Sequence, residues 1–223
     1  MTMQVWKKSA TRPSGALADQ EVVQRVRAGD KALFEILMRR HNQTLYRAVR
    51  SYLKDGSDVQ DAMQEAYLKA YAKLDQFKGE AAFSTWLVRI GVNEALQHLR
   101  RERQMQRHTD PDVRAERLNQ LPDGGMNPEQ KAMQEQNHRL LEEAIDKLPE
   151  AYRSVYMLRE VEGMDVAGVA QSLGLSEGNV KVRLHRAKAM LKETLVGAEA
   201  ATQAFEFGNK HCDRLVAWVM ARI

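Results

Sequence analysis

Residues 165–191, DVAGVAQSLGLSEGNVKVRLHRAKAML, decide how the chain is read. Val166, Val169, Ala170 and Leu173 are apolar at three- and four-residue intervals, which gathers side chains on one face of a helix. Gly174-Leu175-Ser176 breaks the pattern as a turn, with Ser176 placed to cap a second helix. Val180, Leu184, Ala187 and Leu191 then form a narrow apolar stripe, while Lys181, His185, Arg186 and Lys188 fall on other faces. Two helices joined by a tight turn, the second apolar on one side and cationic on another, are helix-turn-helix chemistry. Arg and Lys engage phosphates and guanine edges, so the second helix is the candidate major-groove reader. The bland alternative is a basic surface helix; turn, cap, stripe and charge count against it together.

Outward from this stretch the chain stays helical. Its 223 residues are 43% hydrophobic, 29% charged and only 6% aromatic, and Ala, Leu, Glu, Lys, Arg, Gln and Met dominate over any strand-like alternation. The expected fold is all-α: two small helical domains joined by a flexible linker, the second holding the helix-turn-helix, with a C-terminal amphipathic tail. Three of the five prolines, Pro111, Pro122 and Pro128, fall with Gly124-Gly125 in a linker placed at 104–135. The expected divisions are an arm over 1–18, domains over 19–103 and 136–195, and an extension over 196–223. In the first domain Asp19 is expected to cap a helix that stops at Gly29, Asp30 to cap the next, and Ser57 or Asp58 to open a third running to Leu74. A fourth is expected over 84–103. In the second domain, helices are expected over 137–147 and 150–162 before the helix-turn-helix.

The longest apolar run, Leu215 to Ala221, is far below the ~20 residues of a membrane span. No secretory leader is recognisable and a single cysteine cannot form an internal disulfide, so a cytoplasmic protein without membrane insertion is expected. Net charge is +4 but sorted along the chain: residues 166–192 carry five basic side chains and the single acid Glu177. The third helix is the opposite. Asp58, Asp61, Gln64, Glu65 and Leu68 share about a third of its circumference, an acidic face with an apolar edge. Without His or Cys alongside, these carboxylates suit contact with a basic protein partner better than a metal site or acid–base chemistry.

Longer patterns carry a resemblance. Asp58-Val-Gln-Asp61-Ala-Met-Gln64-Glu65-Ala-Tyr67-Leu-Lys-Ala70-Tyr71, then Leu74-Asp-Gln-Phe77-Lys-Gly79 and Phe83-Ser-Thr85-Trp86-Leu-Val-Arg89-Ile-Gly-Val-Asn93, resemble region 2 of bacterial extracytoplasmic-function sigma factors. Leu148-Pro149, Arg153, Leu158, Glu162-Gly163, Ala170, Leu173-Gly174, Gly178-Asn179-Val180-Lys181 and Arg186-Ala187 resemble their region 4. The resemblance covers about 20–103 and 136–194; Gln97, Gly168 and Val182 depart from the usual pattern. It implies a sigma factor that binds core RNA polymerase through the β′ clamp helices and β flap, and directs initiation at promoter DNA. It assigns Asp58, Asp61, Gln64, Glu65 and Leu68 to the clamp helices. It assigns Phe77, Lys78, Gly79, Glu80, Ser84 and Asn93 to the minus-ten element, where an unstacked base must be held. It assigns Asn179, Lys181, Arg183, His185 and Arg186 to the minus-thirty-five element. An anti-sigma factor is a further implied partner.

Two other classes stay open on residues alone. A helix-turn-helix regulator would bind duplex DNA without polymerase, so dependence on core separates it from a sigma factor. An enzyme is disfavoured, since no Gly-rich phosphate loop, metal-ligand spacing or nucleophile–base pairing is recognisable; no catalytic residue, metal or cofactor is expected. Trp86, beside Phe83 and Ile90, is expected in the core, and Cys212 as a buried or idle thiol. From Lys210 the positions Leu215, Trp218, Val219 and Arg222 recur at helical spacing, so the tail is expected to pack onto a domain or a partner, as a cap or a restraint.

Overall fold

The computed structural model describes residues 17–106, 139–194, 205 and 207–223, so most of the expected arm and linker lie outside the described residues. The first unit comprises α1 (Asp19–Arg27), a 3-10 turn (Lys31–Leu33), α2 (Phe34–Arg50), α3 (Gly56–Ala72), a second 3-10 turn (Leu74–Gln76) and α4 (Phe83–Gln106). The second comprises α5 (139–147), α6 (Glu150–Tyr156) continued by a π turn (Met157–Val161), α7 (Val166–Leu173) and α8 (Glu177–Thr194). A last helix, α9 (Asn209–Met220), returns to the first unit. Among the described residues there is no strand, and the all-α expectation holds.

The helices form where apolar spacing dictates. Phe34, Leu37, Met38, Leu45 and Val49 of α2 are buried against Met63 and Tyr67 of α3 and Phe83 and Leu87 of α4. Gly91 allows α2 and α4 to approach, because a Cβ there would run into Leu45 Cδ1. Leu141, Ile145, Tyr156, Met157, Ala187 and Leu191 build a second core in the second unit. A third buried cluster crosses between units: Ala48, Val88 and Val92 gather with Val155, Leu158, Val169, Ala170 and Val180. The π turn serves this division. Its wider repeat, closed by Glu162 N–H donating to the Met157 carbonyl at 2.9 Å, sends Met157 and Val161 to the second core and Leu158 to the shared one.

Helix ends depart from the local reading in several places. Asp19 opens α1 but does not cap it; its carboxylate reaches across to Arg40 and to His41, which it meets at 2.9 Å. Asp30 makes no cap either and pairs with Arg25 at 3.1 Å. In α3 the cap is Asp55, which accepts from the Ser57 N–H at 2.8 Å and the Asp58 N–H at 3.4 Å, rather than Ser57 or Asp58. The third helix stops at Ala72, with Leu74 in the 3-10 turn, and α4 runs three residues beyond its expected end. The expected helix over 150–162 is α-helical only to Tyr156.

Burial opposes the charge of Asp19, but hydrogen bonds from His41 and Arg40 outweigh it and hold the carboxyl down at about 2. A depressed folded value stabilises the native state fully above the unfolded value of 3.8 and loses that contribution as pH falls through about 2. Asp19→Asn is therefore expected to lower stability at pH 7, with the deficit shrinking as the pH is taken below 3.8, measured by urea titration of both proteins across that range.

Candidate functional site

Three surfaces carry the polar groups singled out by sequence. On α3, Asp61 and Glu65 are exposed one turn apart, flanked by half-buried Gln64 and Leu68. Asp58, a turn earlier, is half-buried, and that burial raises its pKa although His98 of α4, 3.6 Å away, pulls the other way. The acidic strip therefore has two open carboxylates and a third screened by a neighbouring helix.

The second surface runs along α4. Trp86, Arg89, Ile90, Asn93, Gln97 and Arg100 recur at three- and four-residue intervals, a strip of about 21 Å at 1.5 Å per residue. At its start lies a cleft of about 120 Å³ lined by Phe77, Lys78, Gly79, Glu80, Trp86 and Arg89 among others. Near its far end a second cleft of about 230 Å³ is lined by Lys69, Lys73, Asn93, Glu94, Gln97 and Arg100. Lys69 is neutralised by buried Glu94, whereas Lys73, Arg89 and Arg100 have no acidic partner among the described residues. Arg27 holds the loop in place, donating to the carbonyls of Leu74 and, at 2.6 Å, Phe77.

The minus-ten assignments thus fall into separate roles. Lys78 and Glu80 are exposed on the loop and Gly79 takes φ +76°, while Ser84 is half-buried at the helix start and does not line the cleft. Phe77 is only 5% exposed, with its ring against Phe83 and Trp86 at 5.5 and 5.4 Å, so it anchors the loop and presents little surface. Trp86 joins this aromatic cluster but keeps an edge in the cleft. Asn93 stands two turns away on the same strip. Arg89, Gln97, Arg100 and Lys73 were not assigned to the site from sequence; the period of α4 on its exposed side was the signal for the first three, and Lys73, just past α3, carried none.

The third surface is the helix-turn-helix. Asp165 caps α7 by accepting from the Gly168 N–H at 2.6 Å, Gly174 turns the chain at φ +65°, and Ser176 Oγ accepts from the Asn179 N–H at 3.3 Å. Val180, Ala187 and Leu191 are buried, which turns Asn179, Lys181, His185 and Arg186 outward, all exposed. Two cations behave otherwise. Lys188 is tied to Glu160 at 2.9 Å, and Arg183 is half-buried on the flank of α8, where its charge acts on Tyr52 in the turn after α2. Val182 sits in the middle of the outward face, 50% exposed between cationic neighbours.

The second and third surfaces do not lie apart. Ser172 of α7 donates to the Thr85 carbonyl of α4 at 3.3 Å, and Gln171 lines the cleft at the start of the α4 strip. A Cβ on Gly168 would stand 3.4 Å from Thr85 Oγ1, so the start of α7 lies close to α4.

Comparison with known proteins agrees with the residue pattern. The family model described as Sigma-70 region 2 matches residues 37–105, and that described as Sigma-70, region 4 matches residues 138–191. The ECF RNA polymerase sigma-E factor of Escherichia coli (strain K12) is 36% identical over 180 residues, 78% of this chain and 93% of that protein. The RNA polymerase sigma-H factor of Pseudomonas aeruginosa is 32% identical over 182 residues, 79% of this chain and 93% of that protein. Among solved structures, CnrH in complex with the cytosolic domain of CnrY superposes with a TM-score of 0.56 at 27% identity, covering 82% of this chain and 99% of that one. The sigma factor RpoE in complex with the anti-sigma factor NepR from Bartonella quintana shares the fold, with a TM-score of 0.58 at 21% identity, covering 74% and 96%.

The cap of α7 is the local contact on which the helix-turn-helix geometry hangs. Asp165→Ala leaves the Gly168 N–H without its acceptor and is expected to lower stability by about 1 kcal/mol, read by chemical denaturation; Asp165→Asn is expected to retain most of it.

Proposed function

This chain belongs to the extracytoplasmic-function sigma factors of the sigma-70 family, and from that premise we propose how its surfaces divide the work. As a sigma factor it binds core RNA polymerase and directs promoter-specific initiation of transcription. The acidic strip of α3 docks on the β′ clamp helices, with Asp61 and Glu65 as the open charges and Leu68 as its apolar edge. The α4 strip and the loop before it hold the minus-ten element: Lys73, Arg89 and Arg100 meet strand phosphates, Asn93 offers an amide to a base edge, and the cleft beside Trp86 takes an unstacked base. The α8 surface reads the minus-thirty-five duplex, with Lys181 and Arg186 suited to phosphates and guanine edges and Val182 to a thymine methyl. Region 4 also meets the β flap.

The observation that carries this reading is one chain presenting an acidic helix strip on its first unit and a cationic helix-turn-helix on its second. A regulator acting alone on duplex DNA has no use for the former. The place of action is the cytoplasm, with the transcription machinery, and the role is one of binding rather than catalysis. The sigma factor RpoE was solved with the anti-sigma factor NepR, and an anti-sigma factor is the further partner proposed for this chain.

Reversing both open charges, Asp61→Lys with Glu65→Lys, is expected to weaken association with core polymerase by roughly tenfold or more and to flatten its salt dependence. A fluorescence titration with purified core at two salt concentrations measures both, and unchanged affinity refutes the assignment. Lys181→Ala with Arg186→Ala is expected to weaken upstream duplex binding by about 1–3 kcal/mol per lost base contact. Asn93→Ala is expected to leave that binding intact and to impair strand opening. Permanganate footprinting of holoenzyme on promoter DNA separates the two, and identical defects would rule out the division.

A further inference from the structure

The C-terminal segment lies beyond both family matches, the later of which ends at residue 191, and it touches both units. Phe205 is the point of crossing. It holds φ +56°, a left-handed backbone that a bulky side chain adopts only when its surroundings impose it. Its N–H donates to Glu142 Oε1 of α5 at 2.7 Å, in the second unit. Its carbonyl accepts from Gln43 at 2.7 Å and Arg47 at 3.2 Å, both on α2 in the first. Its ring is buried in the second unit's core, and the Arg50 guanidinium lies 4.8 Å from the ring centre. Arg50 in turn grips Asp146 of α5 with two hydrogen bonds of 2.9 and 2.6 Å.

Beyond this peg the segment is anchored to the first unit alone. Phe207 donates its N–H to Gln43 Oε1 at 2.7 Å and stacks on Tyr46 at 4.8 Å. Leu215, Val216 and Val219 of α9 are buried in the first unit's core, Asp213 pairs with Arg39 at 2.6 Å, and the Ile223 carbonyl accepts from Lys31 at 2.7 Å. One end of the segment is therefore seated on α2 and α3, and the other plugs the second unit.

We propose that Phe205 and residues 207–223 form an intramolecular clasp that holds the second unit against α4, storing the free chain closed. The consequence rests on the proposed function: α7 lies against the start of the α4 strip, and Gln171 walls the cleft assigned to the unstacked base. Elements named for positions about 25 base pairs apart lie roughly 85 Å apart at 3.4 Å per base pair, so the packed units cannot reach both. The 32 residues over 107–138 can span roughly 105 Å when extended, which permits the separation once the clasp lets go.

Removing the clasp should open the chain without unfolding its units. Small-angle scattering of the full chain is compared with a variant ending at Ala204, with Phe205→Ala, and with Gly168→Glu, which leaves the tail intact but wedges a side chain toward Thr85. The wild-type chain is expected near the ~17 Å radius of gyration of a compact protein of its length, and all three variants several ångströms larger with helicity preserved in circular dichroism. Binding of core polymerase to the truncated form is expected to tighten roughly tenfold, because less of the population sits in a closed state. Truncation and Phe205→Ala that lower the melting temperature while the radius stays at the wild-type value would mean that the tail is only a stabilising cap, and would overturn the proposal. Should the truncated protein lose helicity, the two point variants decide by the same readout. Failure of the wild-type chain to support polymerase-dependent initiation would instead refute the functional reading and leave the scattering result standing.

Discussion

Arg47 and Glu162 meet at 2.7 Å with side chains 9% and 8% exposed, and that pair governs how the two units can sit. Neither charge is tolerable in such burial alone, so α2 and the end of the π turn have one mutual position in which both are satisfied. The neighbouring contacts follow from it. Arg153 donates to the Ser51 carbonyl at 2.7 Å, Arg50 reaches Asp146, and the small apolar side chains Ala48, Val88 and Val92 meet Val155, Leu158 and Val169. A buried pair of this kind adds orientation more than net stability, since both partners regain water when the units part. The interface is thus specific in geometry and yet openable, which suits two DNA readers that must work far apart.

The fourth helix shows how one element serves two masters. Its Thr85, Val88 and Val92 face is buried with the second unit, while Trp86, Arg89, Asn93, Gln97 and Arg100 lie on the adjoining face. Among the described residues the partner therefore lies alongside the polar strip rather than on it, and reaches it at the start, through Gln171. Gly168 is part of this economy. Without a Cβ it leaves room for the Asp165 carboxylate that caps α7, to which a Cβ would come within 3.0 Å, while Thr85 Oγ1 would stand 3.4 Å away.

Much of this was legible in sequence because it rests on local periodicity. The helices, the glycine turns at 29 and 174, the buried stripe of the recognition helix and the acidic strip all follow from spacing and residue type. Caps were read less well. Asp19 and Asp30 have capping chemistry, but cations on α2 and at the end of α1 compete for their carboxylates, and only the fold brings Arg40 and His41 within reach. The shared cluster was illegible for a related reason: Ala48, Val88 and Val92 look like core residues of their own domain, and sequence does not say which core they enter. The face of the tail helix was visible, but its seat on α2 and α3 depends on partners more than 140 residues away. For Phe205 there was no signal at all, since nothing local asks a phenylalanine for a left-handed backbone.

Chain connectivity then links the tail to the spread of the two readers. From Thr194, where the recognition helix ends, to Asn209, where α9 begins, are 15 steps along the chain, at most about 50 Å when fully extended. The recognition helix belongs to the second unit and α9 is seated on the first, so this stretch is a tether between them in parallel with residues 107–138. The longer connection can cover the roughly 85 Å between the two promoter elements, and the shorter one falls well below that distance. On the proposed function, separating the units toward those elements would exhaust the reach of the shorter connection before that of the longer one. Full extension along DNA and a seated tail therefore compete, and any interaction that stabilises α9 on α2 and α3 raises the free energy needed to reach both elements at once.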